Sequence, residues 1–576
     1  MDERISHLGT VRRREFLTLM GAASVSAFLS EACTAPAAAP QGPQSAPPTV
    51  VVSATPAGQA AARSGKVQLP TYTPIQGASP DLPPSAAGLD PGYLSFPRDH
   101  IKSVAETPGR GGDVTALTVL QLAPPTALEQ NAAWQAINTR LNANMKMQMV
   151  PNAGYPARVA TTMAGGDLPD LFSLFLLSAP IGNLPQFLKA SYTDLTPYLA
   201  GDAIKDYPNL AGIATLPWKQ TVYNDAIYGV PIPRAVFQWI WYVNQSMLDA
   251  QGARFPTNGD EFKQLLKDFT HPASGQYGLG LPPQPFAYGV TSPPILAMFK
   301  APNNWAVDGS GKFTKDFETD AFKAALGYMR DLYASGVYHP DTPTFTMDAA
   351  KVNWLSGKFL LHCTGWFGYA QQFWDPGLRM NPPVKFRTLH PFSVDGSAPI
   401  WHQYQAFVGM TAVKKSTPER VKELLRILNF MAAPFASQEA MLIEYGVENI
   451  DFNFDDRGNP VLNKQGLSDT AVSWGYLTTR PAVLYDGLDP EFARVAYADE
   501  QTMVPVLVTD PSVGLYSETN ATRGAVLLSK LNDGLAEIVV GRAPLTDLDS
   551  LLQEWRGSGG DQIRTEYQQA YAAAQA

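Results

Sequence analysis

Cysteine is nearly absent from this 576-residue chain, which has only Cys33 and Cys363. A fold of this length therefore does not depend on a network of disulfide bonds. Beyond residue 33 the chain also lacks runs of lysine and arginine, and its formal net charge is −9, so a nucleic-acid partner is not expected. The same region has no apolar stretch of about eighteen residues, the length that a membrane-spanning helix needs.

Common catalytic and metal-binding motifs are missing as well. The seven histidines never form His-Glu-x-x-His, and neither a Gly-x-Ser-x-Gly elbow nor a phosphate-binding loop occurs. Residues 451–458 alternate oxygen-bearing side chains in the manner of a calcium loop. However, Asp456 replaces the required glycine, and Leu462 stands where the final glutamate belongs. We therefore interpret this segment as a hairpin turn, with calcium as the alternative, and predict no cofactor.

The N-terminus carries the pattern of an export signal. Arg13 and Arg14 precede Phe16 and Leu17, and residues 16–29 are apolar or small throughout. This stretch is too short for a permanent membrane helix and is typical of a signal peptide. The paired arginines resemble the signal of the twin-arginine exporter, with the general secretory route as the alternative. Cys33 stands where bacterial lipoproteins are cleaved and lipidated, so residues 1–33 predict an exported, lipid-anchored protein.

Residues 34–112 are predicted to be a disordered linker. Alanine, proline, glycine, serine and glutamine dominate them, so the segment cannot bury enough apolar surface to offset the loss of chain entropy. Proline makes such a segment a semi-rigid spacer. Signal, cysteine and linker together predict a globular domain tethered to the outer side of the cytoplasmic membrane. The alternative is a cytosolic protein with a disordered basic N-terminus.

The remaining chain alternates strand and helix patterns. Residues 114–120 and 146–150 are predicted strands, and between them Trp134, Ile137 and Leu141 recur at helical spacing. This βαβ opening predicts an α/β fold with a parallel sheet. The length of the remaining chain is enough for two lobes rather than one core.

Short motifs then follow one another through most of the remaining chain. They are Gly166-Asp167-Leu168-Pro169-Asp170, Tyr228-Gly229-Val230-Pro231, Tyr242-Val243-Asn244 with Asp260-Glu261-Phe262, and Gly357-Lys358 with Gly365-Trp366. In this order they resemble the motifs of type 1 extracellular solute-binding proteins of bacterial ABC importers, particularly the lipoproteins linked to oligosaccharide uptake. Gly259 departs from the pattern, because this family usually has tryptophan there.

This resemblance implies a two-lobed periplasmic-binding-protein fold with a ligand cleft between the lobes. Lobe 1 is expected to contain residues 113–235 and about 403–460, and lobe 2 residues 236–402 and about 461–576. The implied protein is a monomer without enzymatic activity that delivers a sugar or oligosaccharide to ABC-transporter permease subunits. A secreted glycoside hydrolase or lyase is the alternative, and turnover of the bound saccharide would distinguish it.

Eight residues are candidates for ligand binding. Trp366 follows a strand and a glycine, and it resembles the family tryptophan that stacks on sugar rings. Asp170 could accept hydrogen bonds from sugar hydroxyls, and Arg234 could bind the carboxylate of an acidic sugar. The plainer alternatives for these three are a core position, a local turn and a hinge ion pair. The other candidates lie at two predicted chain crossings between the lobes and late in the chain: Trp239, Trp401, His402, Tyr404 and Trp474.

Overall fold

The structure is a computed structural model that describes residues 63–64, 66–85, 87–121, 123–176, 181–237, 239–280, 292–345, 347–366 and 368–575. The export-signal candidates Arg13 and Arg14 and the lipidation candidate Cys33 lie outside these residues, as does the predicted linker up to residue 62. Within the described ranges, no helix is long and apolar enough to cross a membrane. The same ranges contain no group of three or more potential metal ligands.

Strands and helices alternate along the chain. The strands are β1 Arg63–Ser64, β2 Val67–Gln68, β3 Asp113–Leu120, β4 Asn144–Pro151, β5 Leu171–Leu174, β6 Val222–Tyr223, β7 Ala226–Ile227, β8 Val230–Pro233, β9 Ile240–Asn244, β10 Tyr277–Leu279, β11 Trp305–Val307, β12 Phe313–Lys315, β13 Phe359–Thr364, β14 Phe386–Thr388, β15 Trp401–His402, β16 Phe407–Val413, β17 Phe452–Phe454, β18 Pro460–Leu462 and β19 Leu507–Val508. The helices are α1 Ala132–Leu141, α2 Tyr155–Gly165, α3 Leu184–Ser191, α4 Thr196–Leu199, α5 Pro208–Ala211, α6 Thr215–Lys219, α7 Gln245–Gln251, α8 Gly259–Asp268, α9 Ser292–Met298, α10 Asp320–Ala334, α11 Met347–Leu355, α12 Asp375–Leu378, α13 Pro418–Met431, α14 Gln438–Glu444, α15 Lys464–Asp469, α16 Glu491–Met503, α17 Ala525–Val539, α18 Asp547–Trp555 and α19 Asp561–Gln575.

Local sequence signals fix several of these boundaries. The side chain of Asn131 accepts a hydrogen bond of 2.7 Å from the backbone N–H of Trp134 and so caps α1. Thr417 caps α13 in the same way, and Pro418 occupies the first helical position, where its missing N–H costs nothing. As predicted, β3 and β4 are parallel strands connected through α1.

Lobe 1 is built on a five-stranded sheet in the order β4-β3-β5-β16-β8. β3, β4 and β5 are parallel, whereas β16 runs antiparallel to both of its neighbours. Val114 and Leu117 on β3 belong to separate apolar clusters, so the sheet is buried on both faces. The carboxyl ends of β3, β5 and β8 share one edge, and β8 continues from that edge into lobe 2.

Lobe 2 is built on a four-stranded sheet in the order β10-β13-β9-β14. β9 is antiparallel to both β13 and β14, and β10 is parallel to β13. The core around this sheet is rich in aromatic rings: Trp241 packs against Phe262, and Trp354 stacks on His362 with ring centroids 5.2 Å apart. Helices α10, α17, α18 and α19 contribute to the same core.

Two of the connections between the lobes lie side by side. The first joins β8 to β9, and the second joins β15 to β16. The backbone N–H of Arg234 donates to the carbonyl of Ala406 at 3.0 Å, and that of Tyr404 donates to the carbonyl of Val236 at 2.7 Å. The two crossings are therefore hydrogen-bonded to each other where they pass between the lobes.

A third crossing, residues 478–490, corrects the predicted boundary near the end of the chain. Residues 461–477 lie in lobe 1 instead of lobe 2, since Trp474 and Leu477 are buried in the core of lobe 1. The chain then reaches lobe 2 at α16, where Phe492 joins the second core. Residues 478–490 have neither a long apolar run nor a sustained helical period, so the sequence pattern does not indicate that the chain crosses between the lobes here.

The disordered-linker prediction does not match residues 66–85 and 87–112, which pack against the lobes and which we call the N-terminal strap. Val67 and Val104 are buried in the core of lobe 1, whereas Leu82 packs against the core of lobe 2. The strap thus leaves lobe 1, contacts lobe 2 and returns. Its composition predicted disorder, but a few apolar side chains spaced along it find partners on both lobes, and their burial offsets the entropy of ordering the chain.

The strap contacts the third crossing and the helix that follows it. The backbone N–H of Tyr93 donates to the carbonyl of Leu484 at 2.8 Å, and that of Asp90 donates to the carboxylate of Glu500 on α16, also at 2.8 Å. Glu500 is fully buried, and this burial raises its pKa well above the ordinary value. Burial also raises the pKa of Asp90 to about 6.

The raised pKa values of the Asp90 and Glu500 carboxyl groups should make the protein less stable as the pH rises. Because both pKa values are raised in the folded state, the folded protein keeps protons that the unfolded chain has already released. The stabilisation from these two groups is fully present below about pH 4, and it is lost as the pH rises through about 6 and beyond. Glu500→Gln should flatten the fall in melting temperature between about pH 5 and pH 8. Thermal melts test this, with the exposed Glu491→Gln on the same helix as the control. Equal slopes for wild type and Glu500→Gln would contradict it.

The hairpin interpretation of residues 451–458 agrees with the structure. β17 and β18 pair antiparallel on either side of the turn. The Asp455 carboxylate accepts the backbone N–H groups of Arg457 and Asn459 at 2.9 and 2.8 Å. The oxygen-bearing side chain at the tip of the segment therefore closes a turn.

Candidate functional site

A pocket of about 540 Å³ opens in lobe 2 beside the first two crossings. Trp239 and Tyr404 reach it from these crossings, and the β11–β12 hairpin and helices α17 to α19 supply other walls. Its aromatic residues are Trp239, Trp305, Phe317, Trp401, Tyr404, Trp555 and Tyr567. A concave, largely apolar surface with a few fixed polar groups is the usual form of a small-molecule site.

The aromatic floor is buried and the rim is exposed. Trp305, Trp401 and Trp555 are only 3, 5 and 6% exposed, whereas Asn520 and Leu528 at the rim are open to solvent. Indole faces can cover the C–H face of a sugar ring and leave its hydroxyls free for hydrogen bonds. The pocket therefore combines stacking surfaces with polar groups near its mouth.

Secondary structure holds the floor in place. Trp305 starts β11 directly opposite Lys315 at the end of β12. Trp401 lies on β15, which pairs in parallel with β19 through Leu507. Trp555 ends α18 and packs edge-on against Phe317 with ring centroids 4.7 Å apart. The stacking surfaces are thus fixed by two short strand pairs and one helix end.

The two charged side chains that line the pocket, Lys315 and Asp316, form an ion pair with each other. The Lys315 ammonium donates to the Asp316 carboxylate at 2.5 Å, and also to the backbone and side-chain oxygens of Asn304 at 3.0 and 2.8 Å. It also lies 4.6 Å from the centre of the Phe317 ring. Lys315 and Asp316 are 9 and 4% exposed, so this is a buried ion pair whose three N–H donors all have acceptors.

His402 presents a neutral ring at the pocket wall. Its Nε2 lies 2.9 Å from the carbonyl oxygen of Ala301, and since a carbonyl only accepts, Nε2 is the nitrogen that carries the proton. Burial lowers the pKa of this imidazole below its ordinary value, although the carbonyl contact and Asp316 oppose the shift. The uncharged form, with Nδ1 as an acceptor, therefore prevails at neutral pH.

Four of the eight predicted binding residues line this pocket: Trp239, Trp401, His402 and Tyr404. Trp239 and Tyr404 come from the first two crossings, and Trp401 and His402 form β15, from which the second crossing starts. Trp241, two residues beyond Trp239, is only 2% exposed and lies in the core of lobe 2.

Arg234 lies on the first crossing outside the pocket lining. Its guanidinium donates to the carbonyl of Pro233 at 2.8 Å and lies over the ring of Tyr476, 5.3 Å from its centre. Burial lowers the pKa of the group, and the tyrosines Tyr476 and Tyr404 oppose that shift. In this structure the side chain therefore connects the first crossing to a lobe 1 aromatic residue.

Trp366, the predicted sugar-stacking residue, does not line this pocket. It is 5% exposed and packs against Phe237 and Tyr369, with ring centroids 5.6 and 5.5 Å away. Phe237 comes from the first crossing, far away in sequence. The strand-glycine-tryptophan pattern predicted a loop position correctly but could not show that a distant residue covers the ring.

Asp170 and Trp474, two further predicted ligand contacts, do not line this pocket either. Asp170 precedes β5 at the amino end of the strand, opposite the edge that leads to lobe 2, and its carboxylate accepts from Thr115 and, at 3.0 Å, from Arg420. Trp474 is 2% exposed and packs edge-on against Trp134 in lobe 1. Both were predicted to contact ligand, and both lie away from the pocket.

Trp305, Lys315 and Trp555 also line the pocket but were not predicted from the sequence. Trp305 stands at the start of a turn-rich segment with Asp308 and Gly311, a hairpin signal that could have drawn attention to its partner strand and so to Lys315. Trp555 lies in a helical pattern near the C-terminus, and nothing in that pattern indicates which face meets the pocket.

Comparisons with known proteins place this geometry in context. No protein-family model matches the chain. It is 24% identical over 463 residues to the polygalacturonan/rhamnogalacturonan-binding protein YtcQ of Bacillus subtilis (strain 168), covering 77% of this chain and 89% of that protein. It is 22% identical over 470 residues to the lipoprotein LipO of the same organism, covering 79% of this chain and 91% of LipO.

A solved structure confirms the predicted fold. The ABC-transporter substrate-binding protein FusA of Streptococcus pneumoniae, in complex with kestose, matches with a TM-score of 0.56 and 14% identity, over 80% of this chain and 99% of FusA. The chain therefore has the two-lobed fold of extracellular solute-binding proteins, and the resemblance predicted from its motifs is confirmed.

Proposed function

We propose that this protein is the extracellular binding component of an ABC importer, which captures a sugar or oligosaccharide and delivers it to a membrane permease. The observation that carries this proposal is the aromatic pocket beside the first two crossings, in a fold shared with FusA, whose bound ligand is kestose. YtcQ is likewise a polysaccharide-binding protein. Because the crossings contribute Trp239 and Tyr404 to the wall, a bound ligand contacts the segments about which the lobes would close.

The carboxylates of the pocket favour binding over hydrolysis. Glycoside hydrolases generally use two carboxyl groups that flank the scissile bond. Among the described residues that line the pocket, Asp316 is the only aspartate or glutamate, and it is paired with Lys315. A carrier needs the stacking surfaces and the polar rim but no such pair of carboxyl groups.

A thermal-shift screen of oligosaccharides tests the proposed function. At least one compound should raise the melting temperature, because a ligand that binds only the folded state stabilises it. Mass analysis after incubation should recover that compound unchanged. If the compound is cleaved, the protein is an enzyme, and if none of a broad panel binds, the pocket is not a saccharide site.

Trp239→Ala should weaken binding of the identified saccharide by about 1–3 kcal/mol, or roughly five- to 150-fold in Kd. Trp239 is half-buried at the pocket wall, so its removal takes away a stacking surface without opening the core. Calorimetric titration measures the change. Trp474→Ala is the matched control: it should lower the stability of lobe 1 and leave the affinity of the folded protein unchanged. Unchanged affinity in Trp239→Ala would remove this residue from the site.

The location at the outer face of the membrane is part of the same proposal. LipO is a lipoprotein, and Cys33 follows an apolar signal-like stretch. Cys33→Ser should release the mature chain from the membrane fraction. In parallel, Arg13→Lys with Arg14→Lys should retain the precursor inside the cell if the twin-arginine route is used. Cell fractionation with immunoblotting measures both, and continued membrane attachment of Cys33→Ser would contradict the lipid anchor.

A further inference from the structure

We infer that this pocket selects uncharged saccharides and discriminates against the carboxylate of uronic acids. The inference rests on the proposed function, because it specifies the ligand class of the same pocket. It sets this chain apart from the polygalacturonan/rhamnogalacturonan-binding protein YtcQ, because polygalacturonan carries a carboxylate on each galacturonate ring.

The described lining of the pocket contains no uncompensated cation. Lys315 is the only lysine or arginine among the described residues of the lining, and its three donors are taken by Asp316 and by two oxygens of Asn304. A ligand carboxylate near Lys315 would be a second anion, in addition to Asp316, beside a single ammonium group. Both charged residues are buried, so water would screen the repulsion between the two carboxylates only weakly. An unpaired buried charge is strongly unfavourable, so this arrangement penalises acidic rings.

The side-chain amides of Asn303 and Asn304 in the pocket lining are also occupied within the protein. The side-chain amide of Asn303 donates to the carbonyls of Gln403 and Val508, both at 2.8 Å. That of Asn304 donates to Asp510 at 2.7 Å and to Ser512 at 3.3 Å. On the pocket wall, the Nδ1 of the neutral His402 ring is an acceptor, which matches a hydroxyl donor of a neutral sugar but repels a carboxylate.

Arg234 does not supply the missing charge. It lies outside the lining, donates to the carbonyl of Pro233 and stacks on Tyr476. To meet an acidic ring in the pocket, its guanidinium would have to give up contacts on the lobe 1 side of the crossing. The charge pattern of the pocket is therefore set by the Lys315–Asp316 pair.

Calorimetric titration with two matched ligands tests the inference. Trigalacturonic acid and its fully methyl-esterified form share one backbone and differ in charge, and kestose and other neutral trisaccharides widen the panel. A neutral compound should be the tightest binder, and the ester should bind at least roughly tenfold more tightly than the acid. If the acid binds as tightly as the ester or more tightly, the inference fails and the proposed function stands. If no saccharide binds, both fail.

Asp316→Asn provides an independent test of the mechanism. The amide keeps an oxygen for the backbone N–H of Phe317, which Asp316 accepts at 2.8 Å, but it frees the charge of Lys315. The preference for the ester over trigalacturonic acid should shrink by roughly tenfold or reverse. Asp308→Asn, at the exposed turn of the same hairpin, removes one charge outside the pocket and is the control. Melting curves establish that both variants are folded, and an unchanged preference in Asp316→Asn would overturn the assignment to this ion pair.

Discussion

Replacing Trp366 with alanine should cost about 3–5 kcal/mol of the free energy of unfolding, the range for removing a buried tryptophan. The ring is 5% exposed and lies between Phe237 of the first crossing and Tyr369 of lobe 2. It also interacts with the buried carboxylate of Glu500. The substitution therefore leaves a cavity where the crossing meets the core of lobe 2. Chemical denaturation followed by intrinsic fluorescence measures the loss.

Trp366→Phe serves as the matched control, because it keeps most of the aromatic volume. It should be clearly less destabilising than Trp366→Ala, and neither variant should change the Kd of the saccharide for the folded protein by more than about twofold, since the ring does not line the pocket. A large loss of affinity with normal stability would return Trp366 to the ligand site.

Lys315→Met is expected to have the second large effect, about 3–5 kcal/mol, because it leaves the Asp316 carboxylate buried without its cation. Methionine keeps an apolar stem of similar length against Phe317, so the loss would come mainly from the charge. The measurement is the free energy of unfolding from denaturant titration at neutral pH.

The double variant Lys315→Met with Asp316→Asn isolates that cause. Once the carboxylate is replaced by an amide, no buried charge is left unpaired, so the double variant should be more stable than Lys315→Met alone. If both variants are equally unstable, the loss comes from packing around the stem of Lys315 instead of from the charge.

The sequence predicted the regular parts of the fold well because these have local causes. The period of α1, the Thr417–Pro418 start of α13 and the β-rich run at β3 each depend on neighbouring residues. The positions of the strap and the third crossing do not depend on neighbouring residues in this way. Val67 and Leu82 are ordered by surfaces formed by later parts of the chain, and composition alone cannot register those contacts.

The site could be predicted only where it coincides with a crossing. Trp239 and Trp401 stand next to strands whose positions the family motifs indicated, whereas Trp305 and Trp555 reach the pocket through the packing of lobe 2. Trp366 and Trp474 have the same side chain but do not line the pocket. Residue type and strand ends therefore identify candidates, but the packing of distant elements decides which indoles line the pocket.

The position of β16 has a consequence for the order in which the nascent chain folds. β16 lies between β5 and β8 in lobe 1, yet the ribosome makes it only after all four strands of the lobe 2 sheet. Lobe 2 can thus start pairing its strands while the lobe 1 sheet still lacks the strand between β5 and β8, and long-range pairing of this kind is slow. The strap emerges first, but its contact on α16 is synthesised after β16. The part of the strap that contacts α16 can therefore dock only after β16 has been made.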